Sequence, residues 1–118
     1  MEKQDAKVYI KNIIEKSKEA QKIIENYDQQ KVDMLVTAIV WDIVKEETAQ
    51  KISRLAVEES QLGNYESKYS KLMTKLKGAL RDMKGRKSVG VIEKDEAKGI
   101  IKIAKPVGVV GAIVPCTN

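Results

Sequence analysis

The stretch Lys105-Pro-Val-Gly-Val-Val-Gly-Ala-Ile-Val-Pro-Cys-Thr-Asn118 is the part of the sequence from which the fold is predicted. Its centre, Val107 to Val114, is an unbroken apolar run that is rich in β-branched residues. This pattern predicts a strand buried on both faces, as in a parallel α/β sheet, because a half-exposed strand would alternate. Pro115 ends the strand, so the last three residues lie at its carboxyl end, where open α/β sheets bind their ligands.

Nothing that could cover this strand follows it in the sequence. A right-handed crossover to a parallel neighbour takes about 30 residues, and the sequence ends at Asn118. We therefore expect the chain to be the front part of a larger α/β protein that performs no chemistry by itself.

The composition is that of a globular protein and excludes several functional classes. Of its 118 residues, 42% are hydrophobic and 33% are charged, which is enough apolar material for a core. The absence of histidine removes any His-based metal site or His general base. The single cysteine permits no internal disulfide, and no apolar run reaches the ~20 residues of a membrane span. We predict a cytoplasmic protein without a metal site and without membrane association.

The net charge of +5 allows two interpretations. A basic domain can be the footprint of nucleic-acid binding, or its lysines can keep exposed helix faces soluble. The densest basic segment, Lys84-Gly-Arg-Lys87, has no aromatic neighbours that could stack on bases. We therefore favour the solubilising role and predict no nucleic-acid partner, whose affinity would fall steeply with added salt.

Four amphipathic helices are predicted before residue 88, because apolar residues recur there at spacings of three and four. Asp and Asn residues stand where the second and fourth helices begin and can cap them. Glycines stand near the ends of the third and fourth. The predicted helices are Asp5–Asn26, a second helix capped by Asp28, Glu47–Gln61 followed by Gly63, and a fourth between Asn64 and Gly85.

Three features of these helices have alternatives to simple packing. Trp41 could be a binding platform, but such a residue more often packs against a helix edge with its indole N–H on a partner. The methionines of the fourth helix could form an adaptable groove, although their helical spacing favours core packing. Gly78 costs about 1 kcal/mol relative to alanine inside a helix, which a close helix crossing would explain.

After Ser88 the apolar pattern changes to short β-type runs. Two such runs, Val89-Gly-Val-Ile-Glu93 and Ile100-Ile-Lys-Ile-Ala104, flank the polar turn Asp95–Gly99 and predict a β-hairpin. An isolated hairpin is marginal in water. Its free edges favour pairing with a strand from elsewhere in the protein or from another subunit.

This order of four helices, a hairpin and a buried strand resembles the N-terminal part of the aldehyde dehydrogenase superfamily. It is most similar to the CoA-acylating branch, which includes the aldehyde dehydrogenase half of bifunctional aldehyde-alcohol dehydrogenases. Acylating members tend to carry Pro-x-Thr-Asn where other members carry Pro-Trp-Asn, and Pro115-Cys-Thr-Asn118 has the acylating form. The other matching pieces are Gln30-Lys-Val-Asp33, Ala56-Val-Glu-Glu-Ser60 with Leu62-Gly63, Val89-Gly-Val-Ile-Glu93 and Lys105-Pro-Val-Gly-Val-Val110.

The resemblance implies an α/β fragment in three parts. Residues 1–87 would be the helical part of the NAD-binding domain, residues 88–105 the hairpin of an oligomerisation domain, and residues 106–118 the first strand of the Rossmann-like NAD-binding sheet. The hairpin would join a homo-oligomer. The reaction implied is oxidation of an aldehyde by NAD through a cysteine thioester, which CoA takes up to give an acyl-CoA.

The resemblance also places the end of the chain in the cofactor cleft, near the nicotinamide. Thr117 or Asn118 could help to polarise the substrate oxygen, as amide donors do in oxyanion holes. Cys116 would not be the nucleophile, because the catalytic cysteine of the family lies far downstream, so no catalytic residue is expected here. The expected cofactor-binding residues are Ile113, Val114, Pro115, Cys116, Thr117 and Asn118.

An alternative to the enzyme fragment is an autonomous helical module that binds a partner protein through its hairpin or helices and has no catalytic role. The coding sequence beyond Asn118 separates the two. A continuation that leads to a cysteine-containing motif favours the enzyme, and a natural stop with retained expression favours the module. In the family, the residues that select the aldehyde lie downstream of this stretch.

Overall fold

The computed structural model of the chain describes the backbone of residues 3–115 and the side chains of residues 5–115. The chain divides into two compact units, Met1–Val32 with Lys87–Ala112 and Asp33–Arg86 with Ile113–Asn118. The elements in the described residues are α1 (Lys3–Ile24), α2 (Gln29–Val44), α3 (Glu46–Ser60), α4 (Tyr65–Met83), β1 (Gly90–Asp95) and β2 (Ile100–Ala104).

The four predicted helices are confirmed, with their ends displaced by one or two residues. α1 stops at Ile24 rather than Asn26, because the Asn26 N–H donates to the Ile23 carbonyl at 3.2 Å and closes the helix with a tighter turn. Most apolar residues of α1 are exposed, including Ile10 and Ile14. Its amphipathic face is therefore present but faces solvent in this chain.

Both predicted N-caps are confirmed by their hydrogen bonds. The Asp28 carboxylate accepts from the Lys31 N–H at 2.8 Å, and the Asn64 side-chain oxygen accepts from the Ser67 N–H at 2.8 Å. Each bond satisfies one of the backbone donors that the first turn of a helix leaves free.

The end of α3 differs from the prediction that Gly63 closes it. Gln61 occupies the left-handed position at the helix end, with φ 55° and ψ 25°, and Gly63 is a second residue with positive φ, at 74°. The Gln61 side chain donates to the Glu58 carbonyl at 2.6 Å. This local bond compensates for placing a residue with a Cβ in a conformation that glycine adopts more readily.

The buried core of the second unit lies where α2 ends and α3 begins. Its buried hydrophobic residues are Val40, Val44 and Ala49. Ser53, one helical turn after Ala49 on α3, is also buried. α3 packs against α4. Because Ala and Ser are small, they let a neighbouring helix approach this face of α3 closely.

Two packing predictions are wrong in this unit. Trp41 does not pack against a helix edge, because its side chain is 65% exposed. Gly78 does not mark a close helix crossing, since a Cβ built on it would meet no atom within 4 Å. Trp41 lies on a face that the described chain leaves open to solvent, whereas Gly78 is half-buried without a close neighbour.

The predicted hairpin is confirmed as an antiparallel pair of β1 and β2. Asp95 pairs with Ile100, so the connecting turn is residues 96–99, and the Asp95 carboxylate accepts from the Lys98 N–H at 3.1 Å within it. The register shifts between Val91 and Glu93, which is a β-bulge in β1.

The strand predicted over Val107 to Val114 is not formed within this chain, and this part of the expected fold is corrected here. Residues 105–115 have no regular secondary structure. Val107 is 89% exposed and Val114 is 81% exposed. The sheet in the described residues consists of β1 and β2. A strand needs a neighbour for its backbone groups, and residues 3–115 provide none for this segment.

Candidate functional site

The predicted cofactor segment is an open stretch rather than a pocket. Ile113, Val114 and Pro115 are described and exposed, whereas Cys116, Thr117 and Asn118 lie outside the described residues. Small-molecule sites are concave and bury most of their ligand. The described residues of the segment therefore do not form a dinucleotide site by themselves, and their assignment to the cofactor stays a prediction.

A shallow depression of about 580 Å³ runs along one side of α1. The Lys11 ammonium and the Glu15 carboxylate form an ion pair at 3.8 Å within it, and both side chains are largely exposed. All its lining residues belong to one helix, so the depression is the amphipathic face of α1 and lacks converging catalytic groups. The lining residues are Ala6, Lys7, Ile10, Lys11, Ile14, Glu15 and Lys18.

The hairpin exposes a set of branched apolar side chains, which we call the hairpin surface. Its residues are unusual for an exposed sheet, because isoleucine normally faces a core. Among the described contacts, one ion pair joins the two strands: the Lys102 ammonium on β2 lies 2.7 Å from the Glu93 carboxylate on β1. The hairpin surface consists of Val91, Ile101 and Ile103, which share one face of the hairpin, while Ile92 at the bulge and Ile100 on the opposite face are also exposed.

The aromatic residues of α4 are occupied by contacts within the second unit. The Arg54 guanidinium lies over the Tyr65 ring at 5.5 Å from its centroid, and the Tyr65 and Tyr69 rings stack at 5.9 Å. A cation–π contact of this kind helps to hold α3 on α4. The absence of a nucleic-acid partner stays a prediction.

Gln29 is a residue that the sequence patterns did not single out. Its side chain makes hydrogen bonds to Ser88 and Val89, which lie 59 and 60 residues further along the chain. All three residues belong to the first unit. No periodic signal identifies such a contact, because it joins a helix start to a loop that is distant in sequence.

The described residues 3–115 contain no group of three or more His, Cys, Asp or Glu side chains that could hold a metal ion. Within that same span, none of the helices combines the length and apolar character that crossing a bilayer requires.

Curated proteins match most of this chain, although no protein-family model does. Sulfoacetaldehyde dehydrogenase (acylating) of Bilophila wadsworthia is 47% identical over 105 residues, or 89% of this chain. Succinate-semialdehyde dehydrogenase (acetylating) of Clostridium kluyveri is 40% identical over 114 residues, or 94% of this chain. The bifunctional aldehyde-alcohol dehydrogenase of Escherichia coli K12 is 30% identical over 106 residues, or 90% of this chain.

The match covers a small part of these relatives. It spans 23% of the Bilophila protein, 24% of the Clostridium protein and 12% of the E. coli protein. The chain thus spans about a quarter of the length of the Bilophila and Clostridium proteins. Most of the length of each relative therefore lies outside the matched stretch.

Proposed function

We propose that the whole protein converts an aldehyde into an acyl-CoA. The premise is that the chain belongs to the CoA-acylating branch of the aldehyde dehydrogenase superfamily and corresponds to the N-terminal part of such an enzyme. The reaction would consume NAD and CoA and release NADH, through a thioester on a cysteine outside these residues. The observation that carries the proposal is the identity of 40–47% to relatives named as acylating or acetylating dehydrogenases.

Within that enzyme, residues 113–118 would line the cofactor cleft. The supporting observation is the state of residues 107–114: Val107 and Val114 are exposed and apolar, and the segment has no strand partner among the described residues. Burying a valine side chain contributes about 1.5–3 kcal/mol, so this segment gains stability when neighbouring strands cover it. Pairing in a sheet would bring Pro115 and the residues after it to a strand end, where α/β proteins bind ligands.

The hairpin, residues 88–105, would join subunits of a homo-oligomer. The hairpin surface supports this role, because Val91, Ile101 and Ile103 are exposed on one face of the hairpin. A late strand of the same enzyme or a neighbouring subunit would cover them and satisfy the free backbone groups of the hairpin edge.

The proposal is tested with the complete enzyme, of which these residues are the N-terminal part. NADH formation is measured with sulfoacetaldehyde, succinate semialdehyde and acetaldehyde, each with and without CoA. We expect NADH and the matching acyl-CoA with at least one aldehyde when CoA is present. The 118-residue chain alone is the control and should give no NADH. A folded complete protein that reduces NAD without forming acyl-CoA would overturn the acylating assignment.

A second candidate is a non-catalytic module that binds a partner protein through the hairpin surface. The exposed isoleucines that support oligomerisation also favour this reading. The two differ in what they require: the enzyme needs downstream residues for activity, whereas the module would show its full binding with residues 1–118. Partner binding that persists unchanged in the 118-residue chain, together with absent dehydrogenase activity in the complete protein, would favour the module.

A further inference from the structure

The Gln29 carboxamide connects the first turn of α2 to the loop that leads into β1. Its Oε1 accepts hydrogen bonds from the Ser88 N–H at 2.7 Å and from the Val89 N–H at 3.1 Å. Its Nε2 donates to the Ser88 hydroxyl oxygen at 3.0 Å. One side chain therefore engages two successive backbone amides and the hydroxyl between them.

These contacts lie at the point where the hairpin leaves the helical part of the first unit. Ser88 and Val89 belong to no helix or strand, so their N–H groups donate no hydrogen bonds within regular structure. Gly90, the first residue of β1, follows them with φ 70°. A glycine at positive φ is a position where the chain can change direction with little steric cost. Fixing the two residues before it fixes the direction in which β1 starts.

The carboxamide suits this task because it is both acceptor and donor. A glutamate would keep the acceptor for both amides and could also accept from the Ser88 hydroxyl, and its negative charge is favourable in the first turn of a helix. A leucine of similar size would remove every one of these bonds. The chain therefore offers a conservative and a disruptive substitution at the same position.

We propose that Gln29 is a positioning residue for the hairpin: it holds Ser88 and Val89 against the start of α2, so that the hairpin surface is presented in one direction to a second copy of the enzyme. This inference rests on the proposed role of the hairpin in assembly. In this proposal, a residue outside the hairpin sets the orientation of the hairpin that assembly requires.

The test uses the complete enzyme and four variants: Gln29→Leu, Gln29→Glu, Gln30→Leu and Ile103→Lys. Amide hydrogen exchange of a peptide spanning Ser88 and Val89 reports the local contact, and light scattering across protein concentrations reports assembly. Gln29→Leu should speed exchange at these amides about tenfold, as expected for a lost hydrogen bond, and should shift the subunit equilibrium toward smaller species by at least tenfold. Gln29→Glu should restore both readouts, and Gln30→Leu, an exposed neighbour, should change neither.

The outcomes separate this inference from the proposed function. Assembly that persists in Ile103→Lys would contradict the role of the hairpin itself. Assembly lost in Ile103→Lys but retained in Gln29→Leu would overturn the positioning role of Gln29 alone. Unchanged exchange at Ser88 and Val89 in Gln29→Leu would also overturn it, because the contact would then not hold the loop.

Discussion

At the scale of single residues, Ser53 is the clearest departure from ordinary packing. Its side chain is 2% exposed, and its hydroxyl has no hydrogen-bond partner among the described residues. A hydroxyl that is removed from water without a partner costs about 1–3 kcal/mol. The small volume of serine allows close packing at this face of α3, whereas its hydroxyl oxygen finds no hydrogen-bond partner among the described residues.

Ser53→Ala should raise the free energy of unfolding by about 1 kcal/mol, because it removes the unsatisfied oxygen and leaves the backbone unchanged. Urea denaturation of the 118-residue chain at low concentration measures the change. Ser60→Ala is the matched control on the same helix. The Ser60 hydroxyl donates to the Ala56 carbonyl and accepts from the Leu62 N–H, so its loss should lower stability. A loss of stability in Ser53→Ala would contradict the prediction.

Asn64→Ala should lower the free energy of unfolding by about 1 kcal/mol, because the Ser67 N–H loses the acceptor that it has at 2.8 Å. The same denaturation measurement applies. Asn64→Asp keeps an acceptor and adds a charge that favours the start of a helix, so it should match or exceed the parent. Equal stability of the alanine and aspartate variants would show that the cap contributes nothing.

At the scale of the elements, two glycines of the α4 region, Gly63 before the N-cap and Gly78 inside the helix, are expected to respond in opposite ways. Gly78→Ala should raise the free energy of unfolding by about 1 kcal/mol, since alanine favours a helix interior and its Cβ meets no atom within 4 Å. Gly63→Ala should lower it by about 1 kcal/mol, because Gly63 has φ 74°. Denaturation midpoints compare them, and shifts of equal sign would contradict the assignment.

The elements that sequence predicted well are those whose signals are local. Asp28 and Asn64 correctly indicated the starts of α2 and α4, because an N-cap bond involves only one side chain and the backbone of the next turn. The hairpin followed from two short β-type runs around a polar turn. The Gln29 contact and the exposure of Trp41 depend on which residues lie nearby in the folded chain, so a local sequence pattern could not predict them.

The segment from Val107 to Val114 shows the complementary limit. Its sequence predicts a buried strand, yet it forms none here. A strand is a relation between two segments rather than a property of one. The family resemblance was predicted from Pro115-Cys-Thr-Asn118 and its companions, and relatives at 40–47% identity confirm it. The cofactor role of residues 113–118 stays a prediction.

At the scale of the whole molecule, apolar side chains remain exposed on α1, on the hairpin and on the last described segment. Examples are Ile10, Ile101 and Val110. Exposed surfaces of this kind associate, since burial of apolar area is favourable by about 25 cal/mol per Å².

We therefore expect the isolated 118-residue chain to form oligomers whose mass rises with concentration in light scattering. The paired change Ile101→Lys with Ile103→Lys should weaken this association at least tenfold, because each exposed isoleucine contributes about 1.5–3 kcal/mol when buried. Lys102→Ala is the control between them: it removes only an exposed ion pair to Glu93, which is worth little. A cooperative monomer at all concentrations would contradict the expectation.

The bulge between Val91 and Glu93 makes the two long sides of the hairpin unequal. On the β1 side the kink breaks the regular ladder of donors and acceptors, whereas β2 has a continuous run from Ile100 to Ala104. The hairpin therefore has one regular edge, that of β2, with which a further strand can pair. Once a neighbour has bound there, no equivalent edge remains for the next. Association through this hairpin should therefore stop at a closed complex of fixed size instead of propagating into fibrils.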